Sequence, residues 1–344
     1  MIAVIEPFSL PRRAAELGSL DLNFRQTPHN FQVDEIPAYL PSGEGEHLFL
    51  HIRKQKWTTK DVADWLRDSL SISSRDIGYA GMKDRYATTT QWFSVWGTTE
   101  EAVGALQQEG IELLEVKRHG NKLRLGHLRG NRFQLKLEGV EPSQVPMVEA
   151  MLELLSTKGL PNFYGSQRFG RDGTNRSVGK AVLLQEKKVG RWRTQFLVSA
   201  FQSALFNDLL AFRLEQGMLD TALAGDRMQK HENGGVFLCT EPDVDQSRVD
   251  ELAISPTGPM FGHKMATAEG LPGEWEESLL AREELTLDSF RAVGKHAKGT
   301  RRSLRVPLEH AACVMDGEDC ILSFSLPPGS YASVVLHELG VRFS

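Results

Sequence analysis

The chain has 344 residues, of which 40% are hydrophobic and 25% charged, and a formal net charge of −5. That composition excludes a disordered, collagen-like or coiled-coil chain, and the length allows one large domain or two moderate ones. No apolar run approaches the roughly 18–20 residues of a membrane span, and the opening Met1-Ile-Ala-Val-Ile-Glu lacks the basic and apolar regions of a secretory signal.

After an irregular start, residues 29–36 alternate, with Phe31 and Val33 on one face, which predicts a strand. A turn-rich loop covers 37–45. A second strand is expected over 46–53, with Leu48, Leu50 and Ile52 on one side. Thr58 or Thr59 can cap a helix that runs to about Leu70, carrying Val62, Trp65, Leu66 and Leu70 at helical spacing. Further strands are expected over 91–96, 111–117, 122–127 and 132–138. A helix over 145–158 ends at Gly159, a suitable C-cap. A glycine- and arginine-rich loop follows, then a long helix over about 198–216. The end returns to strand pattern over 320–326, and Pro327-Pro-Gly-Ser leads into a short helix over 331–339. The change of style near 159 and its return near 305 suggest a helical, loop-rich insertion, 159–305, within a strand-rich parent of 1–158 and 306–344. The parent strands are mostly joined by short turns, which favours antiparallel pairing.

The small net charge hides an uneven distribution. Residues 215–288 hold sixteen acidic and five basic residues, net −11, so the remainder carries +6. Residues 117–136 hold seven basic residues and no acidic one, and 291–305 hold six and none. Surface fields follow such an arrangement rather than the mean, so both tracts are candidate phosphate contacts. The acidic segment reads either as a solvated outer face or as a surface that repels a misdocked anionic partner. Three cysteines, Cys239, Cys313 and Cys320, form no C-x-x-C, and their odd number argues against a disulfide framework. A reduced, cytoplasmic protein is the expectation.

The densest chemical constellation is Gly78-Tyr-Ala-Gly-Met-Lys-Asp84-Arg-Tyr-Ala-Thr-Thr-Thr-Gln91. Gly78 and Gly81 let backbone turn tightly or lie close to a ligand. Lys83 and Arg85 bracket Asp84 and favour its carboxylate form. Asp84 therefore reads as a nucleophile, base or metal ligand, or as a solvated turn residue. A second cluster is Arg129-Gly-Asn131-Arg-Phe133. Asn131 suits the edge of a base. Phe133 offers a stacking face, or is core, because Leu135 and Leu137 share its parity. Phe31 and Tyr331 carry the same two readings. No Walker loop, nucleophile elbow or metal-ligand spacing is present: Gly173 to Lys180 has five residues between its glycines and no preceding strand.

The Asp84 segment resembles the catalytic motif of the tRNA pseudouridine synthase D (TruD) family. Five further segments match that family in order: Phe31-Gln-Val-Asp-Glu35 with Gly43-Glu-Gly-Glu-His47, Leu128-Arg-Gly-Asn131-Arg-Phe133, Pro161-Asn-Phe-Tyr-Gly-Ser-Gln-Arg-Phe-Gly170, Ser203-Ala-Leu-Phe-Asn207, and Leu326-Pro-Pro-Gly-Ser-Tyr331. The resemblance implies an α+β fold, with a pseudouridine-synthase-like mixed, mainly antiparallel sheet flanked by helices and a mostly helical inserted domain. It implies an isomerase that turns one uridine of tRNA, at position 13 in the D arm, into pseudouridine. Asp84 would be the nucleophile, attacking C6 of the base or C1′ of the ribose. Phe133 would support the flipped base, Asn131 would hold it, and Phe31 and Tyr331 would line the pocket. Arg25 would be the basic partner of Asp84. Neither a cofactor nor a metal is implied, the partner is tRNA, and no protein partner or membrane is implied. Two competitors remain: a non-catalytic RNA-binding protein on the same scaffold, and a glycosidic hydrolase, which needs a second carboxylate about 5–10 Å from Asp84.

Overall fold

The computed structural model describes residues 2–6 and 9–343. Met1, Pro7 and Phe8, part of the opening stretch considered above, and Ser344 lie outside the described residues. The chain forms two compact units. One takes Leu20–Leu152, Leu308–Gly329 and the chain from Val341. The other takes the chain up to Ser19, Glu153–Pro307 and Ser330–Gly340.

The first unit is built on an eight-stranded sheet. Its path runs Glu309–Asp316, Asp319–Leu326, Leu128–Glu138, Phe31–Pro37, Thr88–Val95, His47–Lys54, Ile111–His119, and Ile77–Tyr79 pairs off this path with Thr88–Val95. Every pairing is antiparallel except that of Phe31–Pro37 with Thr88–Val95. Helix Thr59–Leu70 starts at Thr58, whose hydroxyl accepts from Asp61 N while the Asp61 carboxylate accepts from Thr58 N. That reciprocal cap is worth about 1 kcal/mol. Val62 and Leu66 pack on Leu48, Leu50, Ile52 and Phe93, each burial contributing roughly 1.5–3 kcal/mol.

Residues 122–127, expected as a strand, form a turn. Gly126 has φ +93°, and the local amides leave the ladder: Leu123 N donates to Ser94 Oγ and Gly126 N to the Ala80 carbonyl. Cys313 and Cys320, expected as free thiols, are joined as a disulfide. The hairpin around Gly317 brings their Cα atoms to 6.4 Å. Cys239 is buried and free, and burial pushes its thiol pKa up to about 12.

The second unit is organised by helix Arg191–Glu215, which begins seven residues before the expected start, with Phe201, Leu205 and Leu209 in its core. Beside its helices lies a four-stranded sheet, Val236–Leu238, Arg227–Lys230, Ile254–Met260, Thr300–Ser303, so the 159–305 segment is less purely helical than its pattern suggests. Ile254–Met260 hides from pattern reading because it contains Pro256, Gly258 and Pro259, residues that normally demote a strand. Each half of it pairs with a different neighbour.

Only part of the basic tract 291–305 is turned inside this unit, for Arg291, Lys295 and Lys298 are exposed. Arg301 is buried and its guanidinium meets Glu276 at 2.5 Å. Arg305 is fully buried, pairing with Asp220 at 3.1 Å. Arg291 pairs with Asp288. The partners come from the acidic segment, and so does Asp226, which holds the buried Arg213. That segment therefore acts in part as internal counter-charge. Burial pushes the Arg301 pKa down and the Glu276 pKa up. Removing one member of such a pair leaves the other charged and unpaired, at a cost of about 3–5 kcal/mol. Arg301→Ala is accordingly expected to lower the thermal midpoint markedly. A weakened, less salt-dependent RNA affinity at unchanged stability would instead return Arg301 to the surface role.

Candidate active site

Asp84 lies on the loop between Ile77–Tyr79 and Thr88–Val95. Its side chain is exposed, and its Oδ1 accepts from Tyr86 N at 3.0 Å. The loop is polar, yet its backbone is fastened from below at four points. Gln91 Nε2 donates to the Gly81 carbonyl (3.2 Å). Lys83 N donates to Thr59 Oγ1 (2.8 Å), and that hydroxyl donates to Gln91 Oε1 (2.7 Å). The Lys83 ammonium pairs with the buried Glu35 carboxylate at 2.7 Å, whose second oxygen accepts from Trp92 N. Lys54, with 0% of its surface exposed, donates to the carbonyls of Trp57 (2.6 Å), Asp84 (2.8 Å) and Lys83 (3.5 Å).

Three ammonium protons facing three carbonyls make Lys54 a clamp beneath Asp84. Burial lowers its pKa to about 8, partly opposed by the charge of Asp84. The glycines serve this packing. A Cβ on Gly78 would meet the Leu123 carbonyl oxygen at 2.2 Å, and one on Gly81 would press on Lys83 Nζ at 3.2 Å.

The cations that flank Asp84 in sequence do not pair with it. Lys83 is turned inward to Glu35, and Arg85 reaches Asp61 at 3.0 Å. Arg25, the expected basic partner, is exposed and makes no ion pair among the described residues, its carbonyl accepting from Asn30 Nδ2. The buried cation against the Asp84 backbone is Lys54. Its signal was present in the sequence: it continues the Leu48, Leu50, Ile52 parity, which places a lysine on the buried face of its strand. Glu35 likewise continues Phe31 and Val33.

The sheet register joins this clamp to the other candidates. Lys54, Thr89, Val33, Phe133 and Phe324 stand opposite one another across five strands, and directly opposed residues share a face. One step along, Glu35 lies opposite Asn131 and Asn131 opposite Leu326. Asn131 Oδ1 is buried with no hydrogen-bond partner, an acceptor that normally costs about 1–3 kcal/mol to leave unmet. Phe31 and Phe133 are mostly buried, 6.1 Å apart edge to face, and Phe133 stacks on Phe324 at 5.3 Å. Both are core-packed, as the shared parity with Leu135 and Leu137 predicted for Phe133.

Tyr331 belongs to the second unit, where it precedes helix Ala332–Glu338 and lies 5.9 Å from Tyr164. Burial raises its pKa. Arg302 covers the Tyr164 ring at 4.2 Å and donates to Asn162 Oδ1.

The model of the family described as tRNA pseudouridine synthase D (TruD) matches residues 13–189 and 188–339. A curated protein of Anaeromyxobacter sp. strain Fw109-5, named tRNA pseudouridine synthase D, is 44% identical over 336 residues, 96% of this chain and 95% of that one. One of the same name from Thermus thermophilus is 41% identical over 341 residues, 98% of this chain and 94% of that one. Among solved structures, the putative tRNA pseudouridine synthase D of Methanosarcina mazei superposes with a TM-score of 0.76 at 23% identity, over 97% of this chain and 95% of that one. At that identity it shows the shared fold.

Proposed function

The chain belongs to the tRNA pseudouridine synthase D family, isomerases acting on tRNA, and from that premise we propose that it converts uridine 13 in the D arm to pseudouridine, with Asp84 as the nucleophile. The observation that carries this reading is an exposed carboxylate on a polar loop whose backbone is held by buried Lys54, Lys83–Glu35, Thr59 and Gln91. A nucleophile so held needs no reorganisation when the substrate arrives.

The base leaves the helical stack, at a cost of a few kcal/mol. The bond from C1′ to N1 breaks and one from C1′ to C5 forms, the C5 proton is lost and N1 gains one, so no atom is lost overall and a carboxylate suffices without a cofactor. The unpartnered Asn131 Oδ1 suits the N3–H of uracil, and Phe31 and Phe133 back the face on which the base lies. Tyr331 is carried over as a substrate contact from its resemblance to the family's C-terminal motif. The described residues contain no helix long and apolar enough to cross a membrane, and a tRNA substrate fits a cytoplasmic activity.

Incubation of the protein with an unmodified tRNA transcript, with pseudouridine mapped by position, tests this. Product confined to uridine 13, and none when that uridine is replaced by cytidine, is expected. Product at another uridine overturns the position. Binding without product in any transcript favours the non-catalytic RNA-binding alternative.

A further inference from the structure

In the second unit, the start of helix Arg191–Glu215 carries a large exposed aromatic. Trp192 is 74% exposed and lies nearly parallel to Phe196, 5.7 Å away at 9° between planes, as the four-residue spacing on one helix face allows. Phe196 is half-buried and supplies the packing. Its ring is covered by the Arg168 guanidinium at 5.4 Å, and Arg168 also covers Tyr164 at 5.9 Å. Tyr164 in turn meets Arg302 and Tyr331. A row of rings and one guanidinium thus runs from Tyr331 through Tyr164, Arg168 and Phe196, and it ends at the exposed indole.

Basic residues flank the indole in sequence. Lys187, Lys188, Arg191 and Arg193 fall within seven residues of chain with no acidic residue among them. All four are exposed, and none forms an ion pair among the described residues. Arg301 and Arg305 of the tract 291–305 are buried against Glu276 and Asp220, whereas this run keeps four exposed cations in the stretch that also carries the exposed indole. An exposed indole within a run of cations that form no ion pairs among the described residues matches the two chemistries of single-stranded nucleic acid, a stackable base and a phosphate chain.

We propose that Trp192, with Lys187, Lys188, Arg191 and Arg193, forms a second RNA contact that stacks an unpaired base other than the reacting uridine. It rests on the reading that the substrate is tRNA. Phe196 lies against the indole, and the exposed remainder of the ring is the surface offered to the base.

Trp192→Ala is expected to raise the tRNA Kd and KM roughly tenfold, the loss of one stacked base, with kcat at saturating tRNA unchanged. Trp192→Phe should recover most of that loss. Lys187→Glu with Lys188→Glu should reduce the slope of log Kd against log salt by roughly one to two. Unchanged Kd, KM and salt slope in these variants, with wild type still making pseudouridine, overturns the surface and leaves the proposed function standing. A wild type that neither binds nor modifies tRNA is a failure of the proposed function instead. A change of oligomeric state in Trp192→Ala with RNA affinity unaltered assigns the indole to a protein contact and overturns the proposal.

Discussion

Asp84→Asn is expected to lower pseudouridine formation by at least about 10⁴-fold while tRNA affinity stays within about twofold. The size follows from removing the proposed nucleophile; loss of a comparable reacting group costs on the order of 10⁴- to 10⁶-fold. The selectivity follows from the geometry. The fastenings of the loop are made by backbone groups and by Lys83, not by the Asp84 carboxylate. The one hydrogen bond of that carboxylate among the described residues, Oδ1 accepting from Tyr86 N at 3.0 Å, is within reach of an asparagine carbonyl. Asn is nearly isosteric and sits at an exposed position, where substitutions usually move stability by less than about 0.5 kcal/mol. Equal rates from both proteins would remove Asp84 from the chemistry. Full activity loss with a collapsed melting transition would mean that the carboxylate holds the loop rather than reacts.

What the sequence could reveal of this site divides along a physical line. Periodicity reports which face of an element is buried, and it placed Phe31 and Val33, Leu48, Leu50 and Ile52, and the capped helix ending at Leu70 where the structure has them. It reports nothing about what neutralises a charge on that face. Lys54 and Glu35 stand at buried parity, but a buried charge is tolerable only beside a partner. Their partners, the carbonyls at 83 and 84 and the ammonium of Lys83, arrive from 29 to 48 residues away. The same blindness hid the burial of Arg301 and Arg305. A run of arginines looks alike whether it faces solvent or Glu276 and Asp220. Local rules also failed where tertiary pairing overrode them, as in Ile254–Met260, whose prolines sit in a strand with a different partner for each half.

Lys54→Met should lower kcat about 100-fold with the tRNA Kd nearly unchanged. Methionine fills similar volume without a donor, so the carbonyls of Trp57, Lys83 and Asp84 lose the group that gathers them. A shift of about 1 Å in a reacting group can cost 10²-fold. The pH dependence separates this role from bulk packing. The groups facing Lys54 are Asp84 and Asp61, which favour its charge, and Lys83 and Arg85, which oppose it; burial outweighs them and sets its pKa at about 8. As pH rises through 8, the ammonium becomes an amine with two donors for three carbonyls, so wild-type kcat should fall along an alkaline limb. The stability linkage has the opposite sign. A lysine with folded pKa near 8 and unfolded pKa near 10.5 carries its full burial penalty below pH 8. The unfolded chain binds more protons between those values, so the contribution of this group to stability rises with pH across that window. Activity falling while this contribution rises is a pattern that general alkaline unfolding cannot produce. Lys54→Arg, charged throughout this range, should retain more activity than Lys54→Met and show no limb near 8. The substrate's own titration is common to all three proteins. An identical alkaline limb in wild type and Lys54→Arg would assign the titration to another group and reduce Lys54 to packing.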